Sequence, residues 1–304
     1  MNLSKMRHCL DLSSWTVEQY QFFFMKIQAL KSQGYAAIKK ATNPRPIGLI
    51  FQEASTRTRV SFEKVADHLG CPTYLIESNT SLSKGESVLD TVYTLSAMGI
   101  KDFVIRSSTD EIFEIADRYS DGFLINAGSG SCHHPTQGLL DAYTVWETFG
   151  RLQNLQITMV GDLVHSRVAR SNIQWMKAFG ICPKLCGPAP WVDDFEMDAI
   201  DIKQDMDEAI ADADVVILHR VQNERLQANE TYHVADFTAQ YGMTIQRLAQ
   251  IKANAIVMHP GPINRGIEIQ SEVADHAKSK IQTQVENGVW TRIALLQMLL
   301  GSGE

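Results

Sequence analysis

Hydroxyl and guanidinium side chains alternate in the segment Ser55-Thr56-Arg57-Thr58-Arg59. The apolar run Ile47–Phe51 before this segment predicts a strand, and the apolar spacing of residues 62 to 69 after it predicts a helix. Unpaired backbone N–H groups at a helix start, together with hydroxyls and arginines, would form a cradle for a phosphate. The alternative is an ordinary helix cap with two solvated arginines, since Ser and Thr are common before helices.

A second polar cluster, His134-Pro135-Thr136-Gln137, follows a predicted strand at 123–127 and a glycine-rich turn at 128–130. Ligands of open α/β sheets gather at the carboxyl ends of strands. A histidine there can donate a hydrogen bond to a carbonyl oxygen, and Gln137 can hold an amide-like group. One alternative is a turn or core histidine. Another is a Cys132–His133 nucleophile pair, which is disfavoured because adjacent side chains rarely meet productively.

Three further predicted strand ends carry arginines. Arg106 follows the strand at 103–105, and Arg167 follows Gly161-Asp162 after the strand at 156–161. Arg220-Val221-Gln222 comes directly after the strand Val215–Leu218. Two such arginines suit a dicarboxylate, because each guanidinium can hold one carboxylate through paired hydrogen bonds.

The sequence His259-Pro260-Gly261-Pro262 ends the predicted strand at 255–258. Two prolines and a glycine predict a rigid turn, whose backbone acceptors would suit an NH2 group. A plain structural turn is the alternative. Ser81 and Lys84 lie in a long polar loop, which predicts either simple exposure or a lid over a site.

These candidate residues must be positioned by elements that alternate along the chain. The predicted strands are 47–51, 74–77, 103–105, 123–127, 156–161, 215–218 and 255–258. Helical patterns separate them, which favours an α/β fold of two domains, each a parallel β-sheet flanked by helices. The predicted C-terminal helix at 290–300 has an apolar face, so we expect it to pack back on the first domain.

Length and composition agree with this organisation. The chain has 304 residues, 44% of them hydrophobic and 21% charged, which is typical of a globular protein with two domains. A net charge of −7 disfavours nucleic-acid binding by bulk attraction, so anionic ligands must be met by local arginines. The acid-rich region 193–214 is interpreted as a solvated face rather than a metal site.

The expected location is the cytoplasm. No segment approaches the ~20 apolar residues of a membrane span, and no secretory signal is recognisable. The five cysteines are scattered and lack paired CxxC motifs, which suits a reducing compartment. We interpret Cys182 and Cys186 as structural.

Taken in order, these motifs resemble the aspartate carbamoyltransferase family, within the aspartate/ornithine carbamoyltransferase superfamily, over essentially the whole chain. The residues that carry the resemblance are Ser55-Thr56-Arg57-Thr58-Arg59, Ser81, Lys84, Arg106, His134-Pro135-Thr136-Gln137, Gly161-Asp162, His165-Ser166-Arg167, Arg220-Val221-Gln222 and His259-Pro260-Gly261-Pro262. Two segments depart from the usual pattern, Gln52-Glu53-Ala54 before the cradle and Ser131-Cys132-His133 before His134.

The resemblance implies a role for each of these residues. The carbamoyl phosphate-binding residues would be Ser55, Thr56, Arg57, Thr58, Arg106, His134 and Gln137, with the backbone of Gly261 and Pro262. Those that act in catalysis would be Arg57, Thr58, Arg106 and His134. The aspartate-binding residues would be Lys84, Arg167, Arg220 and Gln222, with Ser81 and Lys84 contributed by a neighbouring subunit.

The implied domains are a carbamoyl phosphate-binding domain at 1–134, joined by the helix at 288–304, and an aspartate-binding domain at 135–287. The implied assembly is a homotrimer with shared active sites, and higher assembly with regulatory chains or a dihydroorotase stays open. No metal and no organic cofactor is expected. Membrane and nucleic-acid partners are not expected either.

The implied reaction converts carbamoyl phosphate and L-aspartate to N-carbamoyl-L-aspartate and phosphate, the committed step of pyrimidine biosynthesis. His259-Pro260-Gly261-Pro262 and Arg220-Val221-Gln222 stand where ornithine enzymes typically carry His-Cys-Leu-Pro and Ser-Met-Gly, so aspartate is favoured as the acceptor. The alternatives are a carbamoyltransferase for another amino acid and a catalytically silent homologue that serves as a scaffold or allosteric partner.

Overall fold

The computed structural model describes residues 6–77, 85–192, 195, 200–222 and 234–301. The chain divides into two compact units, Met1–Leu140 with Val285–Glu304, and Asp141–Gln284. The predicted domain boundaries at 134/135 and 287/288 stay predictions, and the compact units change at 140/141 and 284/285.

The first unit contains a four-stranded parallel sheet with the strand order β2-β1-β3-β4. Its strands are β1 Ile47–Phe51, β2 Thr73–Glu77, β3 Asp102–Ser107 and β4 Leu124–Ser129. Its helices are α1 Val17–Gln33, α2 Thr56–Leu69, α3 Val88–Ala97, α4 Glu111–Arg118 and α5 Pro135–Phe149, of which α5 runs on into the second unit.

Strand β1 lies in the middle of this sheet and is buried along its whole length. Helices cover both faces of such a sheet, which is why a central parallel strand consists of a continuous apolar run. Gly48 leaves room for a neighbouring strand, because a Cβ atom there would lie 2.6 Å from the Phe103 ring. Because β1 lies inside the sheet, the segment 55–59 that follows it begins near the middle of the sheet's carboxyl edge.

Helix α11, Ile281–Leu299, begins nine residues before the predicted Trp290 start. From residue 285 onward it belongs to the first unit. Asn287 Oδ1 accepts a hydrogen bond from Lys31 Nζ at 2.8 Å, and the Trp290 ring stacks on Tyr35 with centroids 4.2 Å apart. The predicted return of the C-terminal helix to the first domain is confirmed.

The second unit contains a five-stranded parallel sheet with the strand order β7-β6-β5-β8-β9. Its strands are β5 Ile157–Val160, β6 Lys184–Cys186, β7 Asp201–Lys203, β8 Val215–Leu218 and β9 Ile256–Met258. Its helices are α6 Arg167–Ala178, α7 Met206–Ile210, α8 Val234–Tyr241, α9 Ile245–Gln250 and α10 Ser271–Ala274. The fold class predicted from the sequence is therefore confirmed.

Two local predictions are corrected. The turn expected at 128–130 begins later, because Gly128 and Ser129 are still part of β4, and Ser129 exchanges backbone hydrogen bonds with His133. Strands β6 and β7 were not predicted. Each has three residues and a polar end, so neither has an apolar run that stands out in the sequence.

The described part of the acid-rich region forms surface ion pairs. Lys203 lies 2.7 Å from Glu208, and Lys184 lies 2.5 Å from Asp212. Arg247 lies 2.8 Å from Asp207. These carboxylates are exposed and each faces a cation, which agrees with a solvated face. In the residues described here, no helix has the length and apolar character needed to cross a bilayer.

Candidate active site

The predicted phosphate cradle lies at the start of α2, directly after the carboxyl end of β1. Ser55 occupies the N-cap position with extended backbone angles, but its side chain accepts no hydrogen bond from the helix. The N–H groups of the first helical turn are therefore not capped by Ser55, and these groups suit an anion. The simple helix-cap alternative does not describe this segment.

The two arginines of the cradle differ in their surroundings. Arg59 Nη1 donates to Glu77 Oε1 at 2.7 Å, and its Nε lies 3.8 Å from Glu63 Oε1. Arg57 is exposed at the second position of the helix, while Thr58 beside it is buried. Arg59 thus braces α2 against β2, whereas the exposed Arg57 lies in the first turn of α2, beside the uncapped N–H groups.

Arg106 lies near the carboxyl end of β3, where it is paired in register with Phe51 of β1. Its Nη1 donates to the Ala127 carbonyl at 3.3 Å, and its Nη2 lies 3.4 Å from Glu53 Oε2. These contacts hold the half-buried guanidinium against the ends of β1 and β4. Arg106 and the cradle therefore share one edge of the sheet.

His134 is buried immediately before α5 and accepts backbone hydrogen bonds from Gln137 and Gly138 through its carbonyl group. The pairing of Ser129 with His133 returns the chain to the end of β4, so His134 also reaches the carboxyl edge of the sheet. The His133 ring packs edge-on against Phe113 at 4.9 Å. That packing orients His133 toward the core and gives no support to a Cys132–His133 nucleophile.

In the second unit, the buried carboxylate of Asp162 joins the two basic segments predicted from the sequence. Its Oδ1 lies 2.8 Å from His165 Nδ1, and its Oδ2 accepts the Gln222 N–H at 3.1 Å. A buried carboxylate with donors on both oxygens is rigidly oriented. Asp162 therefore fixes the start of α6 and the segment after β8 at the same time.

Arg167 is the first residue of α6 and is buried, while Arg220 is half-buried directly after β8. Strands β5 and β8 are neighbours in register, so both arginines follow adjacent strand ends. Gln222 is also buried. Two guanidinium groups and an amide at one sheet edge are suited to bind a small dicarboxylate.

The turn after β9 is held by hydrogen bonds from side chains to the backbone. His259 Nδ1 accepts the Gly261 N–H at 2.8 Å, and His259 Nε2 lies 3.1 Å from Glu268 Oε1. Because Nδ1 is an acceptor, the proton is on Nε2 and points to the carboxylate. Asn264 N–H donates to the same Glu268 oxygen at 2.6 Å. The predicted rigid turn is present at Gly261 and Pro262.

Models of protein families match both halves of the chain. Residues 7–147 match the aspartate/ornithine carbamoyltransferase carbamoyl-P binding domain, and residues 153–299 match the Asp/Orn binding domain of the same family. The chain belongs to the aspartate/ornithine carbamoyltransferase family. The first unit thus corresponds to the carbamoyl-P binding domain and the second to the Asp/Orn binding domain.

Among relatives of this carbamoyltransferase, the aspartate carbamoyltransferase catalytic subunit of Thermus aquaticus is 38% identical over 302 residues, covering 98% of this chain and 100% of the relative. That of Koribacter versatilis is 44% identical over 261 residues, covering 84% and 86%.

Solved structures agree with the fold of the carbamoyltransferase. Trypanosoma cruzi aspartate transcarbamoylase in complex with carbamoyl phosphate and aspartate superposes with a TM-score of 0.88 at 24% identity, covering 96% of both chains. Pyrococcus furiosus ornithine carbamoyltransferase gives 0.84 at 24% identity and 98% coverage of both. The fold is thus common to aspartate and ornithine enzymes, so the fold alone does not distinguish the acceptor.

The structure of the carbamoyltransferase assigns contacts that the sequence did not predict. The bridging position of Asp162 and the support of the turn by buried Glu268 both depend on residues far apart in sequence. The sequence offers one signal for the role of Asp162: it is a carboxylate that follows a predicted strand, and His165 comes three residues after it. Ser81 and Lys84 lie outside the described residues. Across the described ranges, no group of three or more His, Cys, Asp or Glu side chains is suited to a metal ion.

Proposed function

We propose that the chain transfers the carbamoyl group of carbamoyl phosphate to L-aspartate, releasing phosphate and N-carbamoyl-L-aspartate, the committed step of pyrimidine biosynthesis. The observation that carries this choice is the pair of arginines, Arg167 and Arg220, held at adjacent strand ends by Asp162. Two fixed positive charges suit the two carboxylates of aspartate, whereas the side-chain ammonium of ornithine would be repelled.

Carbamoyl phosphate binds at the start of α2 in this proposal. The uncapped N–H groups of the first turn, the hydroxyls of Ser55, Thr56 and Thr58, and the Arg57 guanidinium supply donors for the phosphate oxygens. A fixed set of donors also stabilises the negative charge that grows on the phosphate as it leaves. The cradle therefore serves both substrate binding and departure of the leaving group.

The carbamoyl carbon is activated by donors to its carbonyl oxygen. Arg106 and His134 lie at the same sheet edge as Thr58 and are assigned to that oxygen, where charge develops when the amine attacks. Gln137 and the backbone acceptors of the turn at Gly261 and Pro262 are assigned to the carbamoyl NH2 group.

The transfer is balanced without a further reagent. The aspartate nitrogen forms a bond to the carbamoyl carbon, and the bond from that carbon to the phosphate oxygen breaks. The departing phosphate accepts the proton that the amine loses. Orienting the amine against the carbon contributes several kcal/mol in reactions of this kind, of the order of 7–11 kcal/mol at best.

Arg57→Ala tests the phosphate cradle, and Arg59→Ala is its matched control. Removing a charge-assisted ligand costs about 1.5–3 kcal/mol, so carbamoyl phosphate binding should weaken by about 10- to 150-fold in Arg57→Ala. Arg59→Ala should weaken it less, because Glu77 and Glu63 already engage that guanidinium. Calorimetric titration with carbamoyl phosphate measures both. Equal effects, or turnover of Arg57→Ala within tenfold of the parent, would remove Arg57 from the phosphate site.

The proposal includes a homotrimer in which Ser81 and Lys84 complete a neighbour's site. Exposed apolar side chains on the first unit support self-association, since edge strand β2 presents Tyr74 at 51% and Leu75 at 38% exposure, with Val60 of α2 at 47%. Large exposed apolar groups on an edge strand favour a partner surface. A cytoplasmic location is also proposed, and all five cysteines are free thiols.

Subunit mixing tests the shared site. Lys84→Ala and His134→Ala chains, each inactive alone, should regain part of the parent activity after exchange, because some sites then receive one intact contribution from each chain. Mixing Arg57→Ala with His134→Ala is the control, since both changes affect the same side of the site and should restore nothing. No recovery in the first mixture, after mass measurement has verified exchange, would argue against shared sites.

A further inference from the structure

The imidazole of His219 is a buried polar group with no role in the reaction described above. It lies between the last residue of β8 and Arg220, and its ring is inaccessible to solvent. Burial, with a smaller electrostatic contribution from His259, lowers the pKa of His219 to about 3. The ring is therefore neutral at physiological pH and can act only as a hydrogen-bonding group.

One ring nitrogen of His219 has a partner on the other basic segment. His219 Nδ1 lies 2.9 Å from Ser166 Oγ, and Ser166 is the N-cap residue of α6, directly before Arg167. The same Oγ accepts the Ala169 N–H at 3.2 Å, which caps the helix. The bond to Nδ1 forms with either ring tautomer, because a hydroxyl can donate or accept.

The backbone beneath His219 is fixed. Its N–H donates to the Val160 carbonyl at 2.7 Å, so the pairing of β8 with β5 continues to this residue. The His219 carbonyl packs so closely on Gly161 that a Cβ atom there would lie 2.2 Å away. The ring is thus presented from a rigid position toward the start of α6.

The other ring nitrogen makes His219 costly to bury. Of the atoms that the structure describes, none forms a hydrogen bond with His219 Nε2, although this atom is shielded from water. A buried polar atom without a bond destabilises a fold, and an apolar side chain would remove that cost. Local conflicts of this kind are expected where a residue serves function.

We propose that Ser166 and His219 form a link between the two arginine-bearing segments, and that this link positions Arg167 and Arg220 for the carboxylates of the acceptor. The link acts beside Asp162, which joins the same segments through His165 and Gln222. His219 is a positioning residue, because it acts through its neighbours. The inference rests on the proposed function, since it concerns affinity for aspartate.

The test compares steady-state kinetics and thermal unfolding of the full-length parent with those of four variants. His219→Leu removes both nitrogens at similar volume, and His219→Asn retains a polar atom near the Nδ1 position. Ser166→Ala removes the partner. Thr244→Ala is the control for capping alone, since Thr244 caps α9 in the same unit by accepting the Arg247 N–H at 3.2 Å.

Loss of one hydrogen bond at the link should raise the KM for aspartate about tenfold in His219→Leu and Ser166→Ala, with the KM for carbamoyl phosphate within about twofold. His219→Asn should recover most of the affinity, and Thr244→Ala should change neither KM. The melting temperature of His219→Leu should equal or exceed that of the parent. The double variant Ser166→Ala/His219→Leu should resemble either single variant, because the two changes remove one link.

Three results would overturn the link while leaving the proposed function intact: an aspartate KM within twofold of the parent in His219→Leu, no recovery in His219→Asn, or additive effects in the double variant. A parent chain that transfers no carbamoyl group to aspartate would overturn the proposed function and the link together.

Discussion

Asp162→Ala is the substitution that most directly removes the junction between the two basic segments of the Asp/Orn binding domain. The parent carboxylate is fully buried, with Oδ2 bound to the Gln222 N–H at 3.1 Å and Oδ1 2.8 Å from His165 Nδ1. Alanine removes both acceptors. The segments that carry Arg167 and Arg220 then lose a shared anchor, although both arginine side chains are retained in the variant.

The size of the effect follows from the two contacts. The Gln222 N–H is buried and loses a charged acceptor, which costs about 1.5–3 kcal/mol, while the partly exposed His165 ring adds about 0.5–1 kcal/mol. The two losses sum to about 2–4 kcal/mol. If all of this free energy is lost from binding of aspartate, kcat/KM for aspartate falls by about 30- to 900-fold. Asp162→Asn should lose less than about tenfold, because its oxygen can accept from Gln222 and its amide can donate to His165.

The assay is initial-rate formation of N-carbamoylaspartate at varied aspartate and saturating carbamoyl phosphate. Asp214→Ala is the matched control, since that carboxylate accepts the Gln156 N–H at 2.8 Å before β8, away from the carboxyl ends of the strands. Carbamoyl phosphate affinity should stay within about twofold in all three variants. A kcat/KM for Asp162→Ala within threefold of the parent, in a chain that unfolds cooperatively, would refute the role of Asp162 as the anchor.

Two further predictions concern stability. Gly161→Ala should lower the melting temperature by about 5 °C or more, because Gly161 has φ +126° and an added Cβ would lie 2.2 Å from the His219 carbonyl. Gly180→Ala is the control: its added Cβ meets no neighbouring atom, so it should cost only the backbone strain of about 1–2 kcal/mol. Similar melting temperatures for the two variants would contradict the close packing at Gly161. His219 should make the fold sensitive to acid, because its folded pKa of about 3 lies below the unfolded 6.5. Because of this difference, the free energy of unfolding is unaffected by His219 titration above pH 6.5 and falls as pH drops from 6.5 toward 3, by at most about 1.4 kcal/mol per pH unit. Urea unfolding at pH 7 and pH 5 should show a smaller loss in His219→Leu than in the parent, and equal losses would count against this assignment.

Elements with continuous apolar runs could be predicted from the sequence, and elements defined by their neighbours could not. Strands β1 and β8 are buried along their whole length, so their residues have a strand pattern that is independent of context. Strand β7, with the sequence Asp-Ile-Lys, is a strand because it pairs with β6. The first turns of α11 have few apolar residues, and the apolar spacing becomes clear only near Trp290.

The same distinction holds for the site. The placement of polar residues at the carboxyl edge of a sheet could be predicted, because parallel strands bring their carboxyl ends to one edge. Asp162 can bridge the two segments only because β5 and β8 are neighbours in the sheet. These segments are far apart in sequence, since 53 positions separate Ser166 in one from His219 in the other. The support of His259 by Glu268 likewise depends on the path of the chain after β9. Such contacts become visible only when the strand order is known.

The arginine pair should make this carbamoyltransferase select aspartate over ornithine. The most direct test of this selectivity is one competition measurement, in which the purified chain is given carbamoyl phosphate with equal concentrations of aspartate and ornithine, and both products are quantified by mass spectrometry. The arginine pair predicts N-carbamoylaspartate in large excess over citrulline. Citrulline in equal or greater amount would contradict the assignment of Arg167 and Arg220 to the acceptor carboxylates.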